Sequence, residues 1–592
     1  MKPRVPEIVS WAVLAVLLFA MLVGAFRFDR AGRPSLVGDE ATYAMQAASL
    51  AWDLDLAYSR ADYDRFVAHW GGPPDGLILQ SHDNGARITY GKPFLYALAI
   101  APFVRAAPVR GGLIANVVFL AAAAVLASFA LRGTVGETAP LWVAAFLFAS
   151  VSFGYAFWVH ADLFLLAATA AGLALVYGSI PDQAMPQIYA EAPLTGPAFW
   201  RWFLAGMLLA VAGAFRPFYL ILLIPALLAA WSLGHARRAA LIGLVAGAVL
   251  LLAGTSLVQW GAGGSWSGYG GERQGFYPRT GYPEVDFPAS QWSSSLQKWG
   301  NTSWLQEGGV APSFDPKLLS WNSAYFFAGR NVGVLPYFLP LLLGFVTMRG
   351  DRGRWAIPLA VLVAVLGFLV IRPFNFYGGG GAIGNRYFLP LYPAFWFLAA
   401  RPARPVWPVL AAALAAPFLW PLWTHPTAFP VGEDGRYRHV SEIAERYLPY
   451  ETTQSHIPGG QDMSVNNLWL KLLNHNVYRA EGSESLRLIG SNLGELLVGS
   501  PDPLPAVYLD FGRDAPSRLE IGGAEIASTI FRPDGTITFH VPLKKPRAVH
   551  PMWWTWDDYY LYELDIQFPK APAAPFSFRI HPAEDLIQRS GG

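Results

Sequence analysis

Long apolar runs alternate with short arginine-bearing turns over residues 1–423. A run of about 20 apolar residues can cross a bilayer, because a helix satisfies its own backbone where no water can. Such runs lie at 8–26, 111–131, 139–158, 162–179, 200–215, 217–233, 239–260, 331–347, 355–371, 387–400 and 405–423. They predict a polytopic α-helical membrane protein with about 11 transmembrane helices. The shorter runs beside Pro217 and Pro390 fit that pattern least well. The first run also has features of a secretory leader, since Val23-Gly24-Ala25 resembles a cleavage site. A membrane anchor is preferred, because the later spans need no separate export signal.

From residue 424 the apolar runs shorten and charge returns, which predicts a second, soluble domain over 424–592. Its pattern is mixed α/β and mainly β. Helical spacing appears near 438–448 and 484–498, and short strand patterns at 505–511, 518–522, 536–543 and 559–567.

Lysine and arginine set the expected orientation. Lys2 and Arg4 precede the first run. Arg132, then Arg237 and Arg238, then Arg349, Arg352 and Arg354, then Arg401 and Arg404 follow alternate later runs. A cytoplasmic N-terminus puts every one of these clusters inside. Loops 27–110, 261–330 and 372–386 and the domain 424–592 then lie outside the cytoplasm, in the periplasm or extracellular space. The Ala- and Arg-rich composition suggests a GC-rich bacterial source, and the membrane expected is then a bacterial inner (plasma) membrane.

Composition narrows the chemistry. Of 592 residues, 54% are hydrophobic, 15% aromatic and only 14% charged, where a soluble protein has about 25% charged. The mean hydropathy is +0.32. Disorder is excluded, and a net charge of +2 gives no reason to expect a nucleic-acid partner. Without cysteine there is no disulfide, thiolate nucleophile or Cys-ligated metal.

The ionisable residues at the outer ends of the runs carry the candidate chemistry. Asp39-Glu40 opens a helical stretch shortly after the first run. Two carboxylates at a membrane face are costly unless hydrated, paired or functional. Their structural reading is a helix cap with acids in the first turn. Lys92 precedes an apolar, aromatic stretch, and taken alone it snorkels to the interface. His160 and Asp162 open another run, as an acid–base pair, a metal site or a polar contact.

These pieces together resemble the integral-membrane glycosyltransferases of the GT-C fold. The branch with protein O-mannosyltransferases and lipid A aminoarabinose transferases is the most similar. The resemblance rests on Asp39-Glu40 with Tyr43, on Lys92-Pro93, and on His160-Ala161-Asp162. Gly213-Ala214-Phe215-Arg216-Pro217 and Gly384-Asn385-Arg386-Tyr387-Phe388-Leu389-Pro390 with Pro393 extend it. It covers about residues 1–400, in short and degenerate motifs, and excludes 424–592. It implies a sugar donor on a polyprenyl phosphate and transfer at the outer face with inversion. Asp39 is then the general base, with Glu40 as the fallback.

A phosphate leaving group calls for cations, and Lys92, Arg216, Arg330 and Arg386 are the outer-face candidates. Arg216 and Arg386 also suit helix anchoring. A divalent ion (Mg, Mn or Ca) on Asp39 or Glu40 is an open cofactor option that no ligand spacing demands. Tyr377-Gly378-Gly379-Gly380-Gly381-Ala382 reads as a mobile hairpin before an anion-binding nest.

Tyr43, Trp266, Tyr269 and Tyr387 are candidates for stacking on sugar. Trp266 and Tyr269 share their loop with Tyr277, Tyr282, Trp292, Trp299, Trp304 and Trp321. The cluster Trp553-Trp554-Thr555-Trp556-Asp557-Asp558-Tyr559-Tyr560 fits docking of the second domain onto the membrane core, ahead of glycan binding. Partners expected on this basis are a polyprenyl-phosphate sugar, membrane lipids and a glycan, lipid or protein acceptor. The competing class is a carrier or flippase for a lipid-linked saccharide. A carrier calls for paired halves and ionisable groups at mid-membrane, and neither is visible in the chain.

Overall fold

The computed structural model describes residues 5–28, 36–82, 86–178, 196–233, 236–269, 272–278, 281–292, 316–348, 352–373, 375–378, 383–428, 437–451 and 453–454. Beyond these it describes the strands of the second domain named below and a few residues joining them. Trp299, Trp304, Gly379 to Ala382 and Trp553 to Trp556 fall outside the described residues.

Among the described residues, six helices are long and apolar enough to cross a membrane. They are Pro6–Arg27, Gly111–Val135, Pro197–Phe215, Arg237–Gly263, Arg354–Ile371 and Val406–Thr424. A bent pair, Ala139–Phe148 with Val151–Phe157, makes a seventh if its 68° break lies within one span. Shorter apolar helices occupy Leu95–Ala106, Ala161–Tyr177 and Pro217–Trp231. The chain is thus a polytopic helical membrane protein with a sheet-rich C-terminal region.

Four of the expected spans are not single continuous α-helices: 139–158 is the bent pair, and 217–233 is the 3₁₀ turn Pro217–Leu222 followed by the helix Leu223–Trp231. Residues 331–347 form the short turns Val334–Tyr337 and Leu341–Thr347, interrupted where Pro336 and Pro340 remove backbone donors. Residues 387–400 hold only a 3₁₀ segment, Tyr392–Leu398, with Pro390 and Pro393 at its start. That segment is buried throughout, so its apolar character reflects packing inside the bundle and not contact with lipid. By contrast, α1 (Val5–Arg27) and the helix Arg237–Gly263 leave Val16, Phe19, Val249 and Leu250 exposed, as lipid-facing helices do.

The bundle has two distinct ends. At one end Arg132, closing α5 (Gly111–Val135), pairs with Glu7 at the start of α1 at 2.9 Å. Ala403 and Thr138 bond to one another's segments there, and Arg354 donates to the carbonyls of Phe397 and Leu398. The far end of the bundle, where α5 begins, carries the elements between α1 and α5. These are α2 (Asp39–Trp52), α3 (Arg60–Trp70), β1 (Leu77–His82), β2 (Arg87–Tyr90) and α4 (Leu95–Ala106). Strand β3 (Glu272–Phe276) joins β1 antiparallel, so the loop after Gly263 is sewn onto the loop that follows α1.

The C-terminal strands build two antiparallel sheets. One is ordered β11 (Ala524–Ala527), β10 (Arg518–Ile521), β15 (Tyr559–Gln567), β8 (Leu493–Ser500), β5 (Leu468–Leu472), β4 (Met463–Val465), with β14 (Arg547–Val549) on β15. The other is ordered β12 (Ile530–Phe531), β13 (Ile537–Pro542), β9 (Ala506–Phe511), β16 (Phe576–Pro582), β7 (Leu486–Leu488), β6 (Val477–Arg479). Val498, Leu564 and Ile566 of one sheet share a buried core with Leu509, Phe539 and Ile580 of the other. Strand patterns at β9 (Ala506–Phe511), β10 (Arg518–Ile521), β13 (Ile537–Pro542) and β15 (Tyr559–Gln567) fall where alternation predicts them. The helix expected over 484–498 is instead β7 (Leu486–Leu488) and the start of β8 (Leu493–Ser500). β8 pairs with β15 from Leu493–Gln567 to Ser500–Tyr560. That ladder outweighs a weak helical spacing interrupted by Gly494. A helix does form before the sheets, at Glu442–Tyr447, capped by the Ser441 hydroxyl, which accepts from the Ala444 N–H.

Candidate active site

Helix α2 begins at Asp39, and its N-cap is Gly38, with φ +54° and no side-chain capping bond. Asp39 therefore does not cap the helix. Its carboxylate turns to Lys92, with which it forms a close ion pair, and to His160 Nε2 at 2.9 Å. Lys92 is buried, and its carbonyl accepts from the Gln46 side chain at 3.1 Å, which fixes its loop against α2. Glu40 diverges from its neighbour: its carboxylate accepts the Val159 N–H at 3.2 Å and so holds the segment entering α7 (Ala161–Tyr177).

Asp162, fully buried, stands behind His160, its Oδ2 2.7 Å from Nδ1. Arg386 spans both acids, with Nη2 3.7 Å from Asp39 Oδ2 and Nε 3.3 Å from Asp162 Oδ2. Arg216, at the joint between the helix Pro197–Phe215 and the 3₁₀ turn Pro217–Leu222, lies 3.8 Å from Asp162 Oδ1. Asp162 is thus surrounded by the side chains of His160, Arg386 and Arg216. The Arg386 guanidinium also donates to the Gly378 carbonyl. Gly378 has φ +100°, and a Cβ there would meet the Tyr387 ring at 2.6 Å, so only glycine lets this carbonyl approach.

Burial pushes the Asp39 carboxyl up, but Lys92, then His160 and Arg386, together hold it well below the usual carboxylate range. Burial likewise pushes the Lys92 ammonium down, against the pull of Asp39, to about 8 from its ordinary 10.5. Three side chains of the Lys/Arg type thus converge on two carboxylates, in a setting where water screens little. A cluster of this kind favours an added anion with oxygens in reach of Lys92, Arg216 and Arg386.

The structure brings together Asp39, Lys92, His160, Asp162, Arg216 and Arg386. It places Arg330 elsewhere. Arg330 donates to the Leu448 carbonyl at 3.3 Å and lies over the Tyr450 ring at 5.0 Å. Among the aromatic candidates, Tyr43 is buried edge-on against Tyr96 and His160. The Tyr387 ring is covered by Arg216 at 4.1 Å and by Phe368 at 5.1 Å. Trp266 is 61% exposed and stacks on Trp260, while Tyr269 is 36% exposed within electrostatic reach of Arg216, Arg273, Tyr387 and Asp39.

Two residues join the site that the chain pattern did not single out. Arg273 of β3 donates to the Gly91 carbonyl at 2.9 Å beside Lys92 and covers Tyr269 at 5.0 Å. Asn116, fully buried in α5, accepts from Tyr96 and donates to the Trp158 carbonyl, which fixes the chain just before His160. A lone asparagine in an apolar run is the signal that marks it.

Among the described residues no group of three or more His, Asp or Glu side chains is placed to hold a metal ion. Asp39 is paired with Lys92 and lies beside Arg386, which both repel a divalent cation, and Glu40 is turned to the Val159 backbone. The residues present do not fit a metal on this carboxylate pair.

No protein-family model and no curated protein matches the chain. Among solved structures, the chain is similar to ArnT from Cupriavidus metallidurans, crystallised with undecaprenyl phosphate. The identity is 16% and the TM-score 0.38, over 65% of this chain and 59% of that one.

Proposed function

We propose that the protein is an integral-membrane glycosyltransferase of GT-C type. It moves a sugar from a polyprenyl-phosphate donor to an extracytoplasmic acceptor, with inversion and with Asp39 as general base. The observation that carries this reading is the convergence of one partly exposed carboxylate, Asp39, with Lys92, Arg216 and Arg386 in a single buried cluster. A base for the acceptor and cations for the phosphate are the two requirements of the reaction. The arginine-bearing end around Arg132 and Arg354 faces the cytoplasm on this reading, and the cluster faces outward.

The cations that lower the basicity of Asp39 are the ones a donor phosphate recruits. As its oxygens draw Lys92 and Arg386, Asp39 loses its neutralising partners and regains affinity for the acceptor proton. Donor binding thereby switches on the base. The anomeric carbon then exchanges its bond to the phosphate oxygen for one to the acceptor oxygen, the bond electrons leave with the phosphate, and the acceptor proton passes to Asp39. Tyr269, exposed beside the cluster, is the ring best placed to meet the sugar.

Mass spectrometry of lipid co-purified with the protein tests the donor, and turnover with that purified lipid tests the reaction. A polyprenyl phospho-sugar and a new glycosidic bond are the expected results. Movement of the lipid across proteoliposomes without a new bond overturns the proposal in favour of a carrier.

A further inference from the structure

The segment leading into the C-terminal domain grips both stretches of chain that hold Arg386. Glu451 is fully buried against the loop at Asn331, and its carboxylate accepts three hydrogen bonds. These come from the Asn331 N–H at 2.7 Å, the Asn331 side-chain amide at 2.6 Å and the Val332 N–H at 2.9 Å. The Asn331 carbonyl in turn accepts the Gly384 N–H at 2.7 Å, two residues before Arg386. Gly329 makes room for the grip, since a Cβ there would overlap Glu451 Oε1.

A second hold reaches Arg386 from the other side. Gln454 donates to the Pro373 carbonyl at 2.8 Å and accepts the Phe376 N–H at 3.4 Å. Between them Asn375 accepts the Gly378 N–H at 3.2 Å, and Gly378 presents its carbonyl to the Arg386 guanidinium. Thr453 fastens the same segment by donating to Asn322 at 2.6 Å.

We propose that Glu451 is a positioning residue: through Asn331 and Gly384 it sets Arg386 for the donor phosphate and links the C-terminal domain to the catalytic cluster. The inference rests on the glycosyltransferase reading for what Arg386 does, and on geometry alone for what Glu451 does. A merely structural anchor at this spot supports the fold as a whole. A positioning residue acts on one segment and one ligand contact.

The test uses the full chain in lipid nanodiscs with Glu451→Gln and the milder Asn331→Ala. Glu451→Gln sets an amide N–H₂ against the Asn331 amide and keeps the two backbone bonds. Hydrogen exchange over 383–388 is expected to quicken about tenfold in Glu451→Gln, less in Asn331→Ala, with 111–135 unchanged. Affinity for added undecaprenyl phosphate is expected to fall about fivefold, and this loss disappears in an Arg386→Gln background. Unchanged exchange at 383–388, or equal quickening across 111–135, overturns the inference. So does a loss of affinity that persists undiminished without Arg386. If the wild-type chain ignores undecaprenyl phosphate, the glycosyltransferase reading fails, and the exchange measurement alone decides whether Glu451 positions this segment.

Discussion

Glu451 and Asp162 are both fully buried carboxylates at the same end of one molecule, yet their surroundings are opposite in kind. Glu451 meets fixed donors, two of them backbone N–H groups. Asp162 is met by side chains, those of His160, Arg216 and Arg386. A carboxylate saturated by backbone has no capacity to answer a ligand, and that makes a scaffold. One balanced by side-chain cations that also serve Asp39 feels any anion that competes for them. The difference separates framework from the proposed reaction centre on geometry alone.

Removing the proposed base strikes this contrast hardest. Asp39→Asn is expected to lower turnover by about 10²–10⁴-fold, the usual worth of a positioned base. Affinity for the lipid phosphate should hold or rise, because Lys92 and Arg386 lose a competing anion. Steady-state turnover with the purified donor, alongside lipid binding, checks both. Full turnover in this variant removes Asp39 from the mechanism.

Arg386→Gln comes next. It withdraws a charged contact to phosphate and also leaves Asp162 with one cation fewer. A loss of about 1.5–3 kcal/mol in lipid-phosphate binding follows, roughly 10–150-fold in Kd. The same exchange at Arg330, which serves the Leu448 carbonyl, is expected to lower thermal stability more than affinity. Equal losses of affinity from both arginines break the distinction between framework and centre.

The pH response has a smaller amplitude and a definite sign. Lys92 sheds its charge around pH 8 while Asp39 stays ionised. Lipid-phosphate affinity is expected to fall about tenfold between about pH 7 and about pH 9. Stability moves the other way. The folded chain releases the Lys92 proton near 8 and the unfolded chain near 10.5, so raising pH between those values favours the fold. Lys92→Arg, charged throughout, should flatten the binding profile. An unaltered profile assigns the titration to another group.

Much of the centre was legible in the chain for one physical reason: an ionisable residue at the end of an apolar run is costly and needs a purpose. Asp39, Lys92, Asp162, Arg216 and Arg386 stand out on that ground. Glu451 and Arg273 do not, because their meaning lies in backbone partners that only the folded chain supplies, and Asn116 is marked only as the lone asparagine of its apolar run. Hydropathy also marks as spans stretches that form no single long helix. It registers the burial of Tyr392–Leu398 but not that proteins and lipids both provide apolar surroundings. Tyr387 misled in a similar way, since its stacking face is spent on Arg216.

That last point sets the finest test. If exposure beside the cluster decides which aromatic ring meets the sugar, Tyr269→Ala raises KM for the donor about fivefold, the worth of about 1 kcal/mol of ring contact. Trp266→Ala, removing a more exposed ring that stacks on Trp260, should leave KM nearly unchanged. Tyr269→Phe separates stacking from hydrogen bonding and should behave as wild type. Tyr387→Ala offers the internal control. It frees Arg216 from its ring and should weaken binding of the bare lipid phosphate, whereas Tyr269→Ala should weaken only the phosphate that carries sugar. Were both variants to affect the two ligands alike, Tyr269 would belong with the cations as part of the phosphate site, and the sugar would have to be sought against another face of the cluster.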